Sequence, residues 1–266
     1  MNRCDDYIAV FDSGVGGISV LRHLLKQLPN ERFIYFGDSA NAPYGTKPTE
    51  MVRQLTLDAA KRLMEFGIKA LVVACNTATG AAIADLRSAY PELTIVGVEP
   101  ALKVAADRYP HGRIGVMATP VTLNSEKFRS LLGRFSSKHT IHLIPAPGLA
   151  DLIEAGRQNT PEGYTFLSEL LTPYAGKLDA LVLGCTHYPF AAETISRLLP
   201  GVILLDGGEG TAQQTRRALE SKGLLSTGKG EVLFASSSDN PEMITLCNTL
   251  LYPENSENTN ERMLLL

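Results

Sequence analysis

Short apolar runs alternate along this chain with longer stretches in which apolar residues return every three or four positions. The first pattern suits strands buried on both faces and the second suits helices laid against them, so together they predict an α/β protein with parallel sheets. Strands are expected at about 7–12, 32–37, 70–74, 94–98, 113–118, 140–145, 180–184, 202–206 and 231–236, with helices in most of the gaps. The stretch 49–66 reads as one helix, because Met51, Leu55, Leu63 and Phe66 share a face and Gly67 stops it. The segment after Pro253 is polar until its last residues and is expected to be loose.

The pattern also repeats. Ile8-Ala-Val-Phe-Asp12-Ser13 resembles Ile114-Gly-Val-Met-Ala118-Thr119, and Ala70-Leu-Val-Val-Ala-Cys75-Asn-Thr77 resembles Ala180-Leu-Val-Leu-Gly-Cys185-Thr-His187. The interval between the two segments is similar in each copy. Two related halves are therefore expected, each presenting one cysteine at the carboxyl end of a parallel strand, where ligands of open α/β sheets bind. If the halves face one another, Cys75 and Cys185 flank a shared cleft.

Composition narrows what that cleft holds. The chain has 266 residues, 44% of them hydrophobic, which is enough for two cores. Its 25 basic and 28 acidic residues leave no broad positive face for nucleic acid or an anionic membrane, and a small-molecule partner is expected instead. No export signal or spanning segment is read, so a cytoplasmic enzyme with reduced thiols is expected. Of the cysteines, Cys4 and Cys247 read as core residues, whereas Cys75 and Cys185 have polar neighbours at strand ends.

The residues around these thiols carry the chemistry. Asn76-Thr77-Ala78-Thr79 can cap a helix, whose N-terminus would attract a carboxylate and lower the pKa of the adjacent Cys75. Cys185-Thr186-His187-Tyr188-Pro189 has the same form, with Pro189 opening a helix and His187 able to assist proton transfer or bind substrate. Asp12-Ser13-Gly14-Val15-Gly16-Gly17 resembles a dinucleotide-binding turn, but Ser19 stands where the third glycine belongs and Asp12 would repel a pyrophosphate. Its glycines permit close approach of the main chain. Asp38-Ser39-Ala40-Asn41-Ala42-Pro43-Tyr44-Gly45 is a loop able to cover the cleft. Glu154 and Thr119 are further polar residues near element ends, while Glu99 before Pro100 reads as structural. His139 and His142 match no ligand spacing, so no metal is expected.

These motifs, with Gly37-Asp38, Ala118-Thr119-Pro120, Leu152-Ile-Glu154 and Asp206-Gly-Gly-Glu-Gly-Thr211, resemble in order and spacing those of the glutamate racemases of the aspartate/glutamate racemase superfamily. The resemblance spans nearly the whole chain; Gly80 and Gly207-Gly208 are small departures that touch packing more than chemistry. It implies two pseudo-symmetric domains with the active site between them, the first from residues 1–98 plus 207–266 and the second from 99–206. It also implies that Cys75 and Cys185 are the acid/base pair and that Asp12, Glu154 and His187 assist proton transfer. Asp12, Ser13, Pro43, Tyr44, Gly45, Asn76, Thr77, Thr119, Thr186 and His187 would bind glutamate. No cofactor, a homodimer and a product, D-glutamate, used in peptidoglycan synthesis are further implications. Some members carry an N-terminal extension linked to activation by a cell-wall precursor, which the short segment before Ile8 does not lead us to expect here.

An amino-acid α-hydrogen is a poor acid, so such a reaction needs a positioned base on one face, a donor on the other and partners for the developing charge. Two other readings of the residues stand at this point: Cys185 and His187 as the nucleophilic pair of a thiol hydrolase, which leaves Cys75 unexplained, and a non-enzymatic binding module built on the glycine turn.

Overall fold

The computed structural model describes residues 6–252 and 263–265. Its strands are β1 (Tyr7–Asp12), β2 (Arg32–Gly37), β3 (Ala70–Val73), β4 (Thr94–Gly97), β5 (Arg113–Ala118), β6 (Thr140–Pro145), β7 (Ala180–Leu183), β8 (Ile203–Asp206), β9 (Glu231–Ser236) and β10 (Met263–Leu265). They form two sheets, ordered β10-β9-β2-β1-β3-β4 and β6-β5-β7-β8. Every pairing is parallel. The chain thus leaves the first sheet after β4, builds the second and returns to the first at β9. All nine expected strands are present within a residue of their expected ends.

Strand β10 was not anticipated. Part of the segment expected to be loose pairs with the edge of β9, Met263 opposite Phe234 and Leu265 opposite Ser236. An edge strand offers unpaired backbone groups, and the apolar end of the chain supplies partners. The remainder of that segment, like Cys4, lies outside the described residues.

Parallel sheets covered on both faces bury successive side chains alternately upward and downward. Ile8 and Val10 join one apolar cluster with Phe33, Tyr35 and Phe234, under helices Ile18–Gln27, Gly208–Ser221 and Pro241–Leu251. Ala9 and Phe11 join the opposite cluster with Ile34, Phe36 and Val73, under helices Thr49–Glu65 and Asn76–Ala89. Cys247 is fully buried in the first cluster, as expected of a core residue. The second sheet repeats the arrangement, with Met117, Leu181 and Leu183 on one face and Ile114, Val116 and Val182 on the other. Helix Thr49–Glu65 ends one residue before its expected limit, and Gly67 adopts φ 72° beyond it, a left-handed conformation that favours glycine.

The strands run in one direction, so their carboxyl ends collect along one edge of each sheet. Asp12, Cys75, Thr119 and Cys185 stand at or just beyond the ends of β1, β3, β5 and β7. The opposite edge of the first sheet is held by a buried ion pair. Lys69 Nζ lies 2.6 Å from Glu31 Oε2, with side-chain exposures of 8% and 1%. Lys69 also donates to the Leu224 carbonyl, and the Ser226 amide donates to Glu31 Oε1 at 2.7 Å. The pair therefore fastens the starts of β2 and β3 to the chain returning from the second sheet.

Lys69→Met should lower stability by about 3–5 kcal/mol, because it strands a buried carboxylate. Adding Glu31→Leu should restore part of the loss. Urea unfolding midpoints of the single and double variants check both expectations.

Candidate active site

Cys75 is the residue immediately before helix Asn76–Ala89, and its sulfur takes the capping position. The Ala78 amide donates to Cys75 Sγ at 3.4 Å, and the thiol reaches Ser13 Oγ at 3.7 Å. A capping sulfur meets the positive end of the helix, which was expected to lower its pKa. The structure reverses that expectation. Burial and then the Asp12 carboxylate push the Cys75 thiol up to about 12, outweighing the Ala78 amide and the Ser13 hydroxyl. Desolvation here wins over one peptide dipole.

The Cys185 side is built differently, although the sequence suggested the same form. Pro189 opens only a short turn of tight helix, Tyr188–Ala191, before helix Ala192–Leu198. The partner of Cys185 Sγ is instead His187 Nδ1, at 3.7 Å. His187 Nε2 lies 2.6 Å from Glu154 Oε1, at the end of helix Leu149–Glu154, and the Val15 amide donates to the same oxygen at 2.8 Å. Burial disfavours charge on His187, but Cys185 and Glu154 outweigh it and hold its pKa well above the ordinary histidine value. Burial likewise opposes ionisation of Glu154, and its bonds to His187 and Val15 prevail, leaving the carboxyl below its ordinary value. His187 thus bridges the Glu154 carboxylate and the Cys185 sulfur.

The glycine turn after β1 is what the second half closes upon. A Cβ added to Gly14 would stand 1.9 Å from Glu154 Oε1, and one on Gly16 would stand 2.4 Å from His187 Nδ1 and 2.5 Å from Thr186 Oγ1. Neither glycine has positive φ. Close approach, not backbone conformation, is what glycine provides here. Asp12, fully buried, accepts from the Gly14 amide through Oδ1 and from Thr186 Oγ1 through Oδ2, both at 3.0 Å. Burial raises its carboxyl, against the pull of His187, Gly14 and Thr186. Ser19 completes the lock by donating to the Thr186 carbonyl at 2.8 Å.

The remaining wall comes from the loop after β2 and the start of the second half. Tyr44 is buried and lines the cleft, and its hydroxyl donates to Asp38 Oδ2 at 2.5 Å. Gly45 packs on Thr119, whose methyl would be 2.7 Å from a Cβ there. Thr119, Thr77 and Thr122 form a triangle of hydroxyls 3.0–3.2 Å apart, joining the two halves. Asn76 Oδ1 is buried with no hydrogen-bond partner in the protein.

These parts enclose one cavity of about 20 Å³. Cys75, Cys185, Glu154, His187, Ser13, Pro43, Tyr44, Gly45, Asn76, Thr77, Thr119 and Thr186 all line it, and Asp12 lies just behind. Such a space holds about one water. Glu99 is absent from this wall; it pairs with Lys127 at 3.0 Å. Sequence reasoning missed Ala150, which lines the cavity, and Thr122, Ser19 and Tyr35, which support it. Tyr35 carried a usable signal, since a hydroxyl in an otherwise apolar strand needs a buried partner.

Comparison with known proteins places the chain in a family. The Asp/Glu/Hydantoin racemase family profile matches residues 10–215. The chain is 44% identical over 255 residues to the glutamate racemase of Clostridium botulinum (strain Alaska E43 / Type E3), covering 94% of this chain and 99% of that one. The crystal structure of glutamate racemase from Thermus thermophilus in complex with beta-chloro-D-alanine superposes with TM-score 0.81 at 37% identity, over 99% of this chain and 98% of that one. That of the Francisella tularensis enzyme in complex with D-glutamate gives TM-score 0.84 at 28% identity, over 100% and 97%. The protein therefore belongs to the Asp/Glu/Hydantoin racemase family, and with it to the isomerases.

Proposed function

We propose that the protein interconverts L- and D-glutamate by passing protons between the substrate α-carbon and two sulfurs, Cys75 and Cys185, without a cofactor. The observation that carries this reading is that both thiols, one from each half, line the same small cavity. One sulfur removes the α-proton while the other delivers a proton to the opposite face, and the roles reverse for the other enantiomer. Glutamate as substrate is supported by the clostridial relative's name and by D-glutamate in the Francisella complex.

The cavity offers partners for each charge on an amino acid. Asp12 and the unpartnered Asn76 Oδ1 suit the ammonium. The N-terminus of helix Asn76–Ala89 and the hydroxyls of Ser13, Thr77, Thr119 and Thr186 suit carboxylates and the charge that develops on them. The Pro43-Tyr44-Gly45 segment closes over them. His187, with Glu154 behind it, is placed to stabilise negative charge on Cys185. The chain path supports two domains, 1–98 with 207–266 and 99–206, with this site lined by both. A cytoplasmic homodimer supplying D-glutamate to peptidoglycan synthesis is the setting the family resemblance supports. Among the described residues, no helix is long and apolar enough to cross a membrane.

Cys75→Ala and Cys185→Ala should each leave a folded protein and lower racemisation of both enantiomers by at least about 10²-fold, since removal and delivery of the proton are both obligatory. Early in a reaction run in D2O, the new enantiomer should carry deuterium while unreacted substrate stays protiated. Return of the original proton to product in both directions, read by mass spectrometry, is incompatible with two separate bases.

The Glu154–His187 pair should also leave a pH signature on stability. Glu154, lowered on folding, stabilises above its ordinary value of 4.5, and that contribution is lost as pH falls through the lower folded value. His187, raised on folding, stabilises fully below its ordinary 6.5 and loses that contribution as pH rises through the higher folded value. The melting-temperature gap between wild type and Glu154→Gln should therefore be widest between pH 4.5 and 6.5 and narrow on both sides. A pH-independent gap, measured by calorimetry, contradicts the assignment.

A further inference from the structure

We infer that Tyr35 is a positioning residue for proton transfer at Cys185, acting across the domain boundary through the Gly14–Val15 peptide and the Glu154–His187 pair. The inference rests on the racemase reading above for its kinetic consequences, and on geometry alone for its structural ones.

Tyr35 is fully buried in β2 of the first sheet, with its ring edge-on to Phe234 at 6.1 Å between centroids. Its hydroxyl donates to the Gly14 carbonyl at 2.6 Å. That carbonyl and the Val15 N–H belong to one planar peptide unit, so holding the oxygen aims the N–H on the opposite side. The Val15 N–H donates to Glu154 Oε1 at 2.8 Å, the oxygen that also meets His187 Nε2 at 2.6 Å. His187 Nδ1 then faces Cys185 Sγ at 3.7 Å. Four contacts thus connect a core strand of one sheet with the thiol of the other.

An anchor is needed at this peptide because Gly14 is the residue least able to hold its own backbone, and Glu154 leaves no room for a side chain there. The structure reserves space for the anchored carbonyl. A Cβ on Gly37 would stand 2.7 Å from Gly14 O. Burial, followed by the charge of Asp12, raises the Tyr35 pKa far above the ordinary phenol value, so the hydroxyl remains a donor throughout the neutral range. Cys75 is not on this line, since its partners are Ser13 and Ala78. The effect of Tyr35 is therefore one-sided with respect to the two sulfurs.

Tyr35→Phe removes one oxygen and keeps the ring in place. Its kcat should fall about tenfold, the worth of one aligned hydrogen bond, with KM little changed. With α-deuterated substrates, the primary isotope effect should grow for the enantiomer from which Cys185 abstracts and shrink for the other, where delivery by Cys185 becomes limiting. In a Glu154→Gln background the same substitution should have almost no further effect, because the line is already cut. An additive loss, or isotope effects that move together for both enantiomers, would indicate general loosening and overturn the inference.

A readout independent of substrate accompanies the kinetics. The groups facing His187 are Cys185, Glu154 and Asp12. Titration of the His187 ring by NMR should show a lower pKa in Tyr35→Phe than in wild type, with melting temperature recorded on the same samples. An unchanged His187 titration overturns the relay. Wild-type protein that fails to racemise glutamate overturns the racemase reading while the NMR comparison still decides the relay.

Discussion

Everything chemical in this molecule depends on how closely the second half can press against the first at the turn after β1. Glu154 Oε1 reaches the Val15 amide at 2.8 Å and Thr186 reaches Asp12 at 3.0 Å only because Gly14 and Gly16 carry no side chains. The glycines resemble a phosphate-binding turn in sequence, but what fills the space beside them is protein. A carboxylate, an imidazole and a hydroxyl from the second half occupy it, and in doing so they bring Cys185 to the wall that Cys75 already lines.

That closeness has electrostatic consequences. Asp12, Cys75 and His187 are buried, where isolated charge is unfavourable and a neighbour's charge is strongly felt. The two thiols consequently differ. Cys75 sits at a helix start but beside a buried carboxylate, and its proton is held up to about pH 12. Cys185 sits beside His187, whose pKa Cys185 and Glu154 hold above the ordinary histidine value against burial. The pseudo-symmetry of strands and sequence motifs is thus not a symmetry of chemical environment, and each half supplies its sulfur with a different kind of partner. The small volume between them brings donors and acceptors from both halves together.

Much of this was legible along the chain, and the reason is periodicity. Ile8 to Phe11 and Leu181 to Leu183 form unbroken apolar runs because parallel strands are covered on both faces, and the runs marked every strand but β10. Strand β10 follows a polar segment and is only three residues long, so its pairing comes from the free edge of β9 and not from a pattern of its own. The strand-end positions of Cys75 and Cys185 were readable from the repeat. The different local structure after Cys185 was not, since Pro189 is compatible with either an α-helix or the tighter turn that forms.

What the sequence by itself determined is local: which segments are strands, where the thiols and their polar neighbours follow them, and where glycine leaves room. Hydrophobic period and backbone preference act over a few residues, and a single chain displays them directly. Only the tertiary structure decided that Glu154 serves His187 and not the solvent, that Tyr44 points its hydroxyl at Asp38, and that Cys75 holds its proton more tightly than a helix cap alone would allow. Those outcomes depend on desolvation and on contacts between residues as far apart as Val15 and Glu154. Both are properties of the packed halves, because water screens such charges until folding removes it.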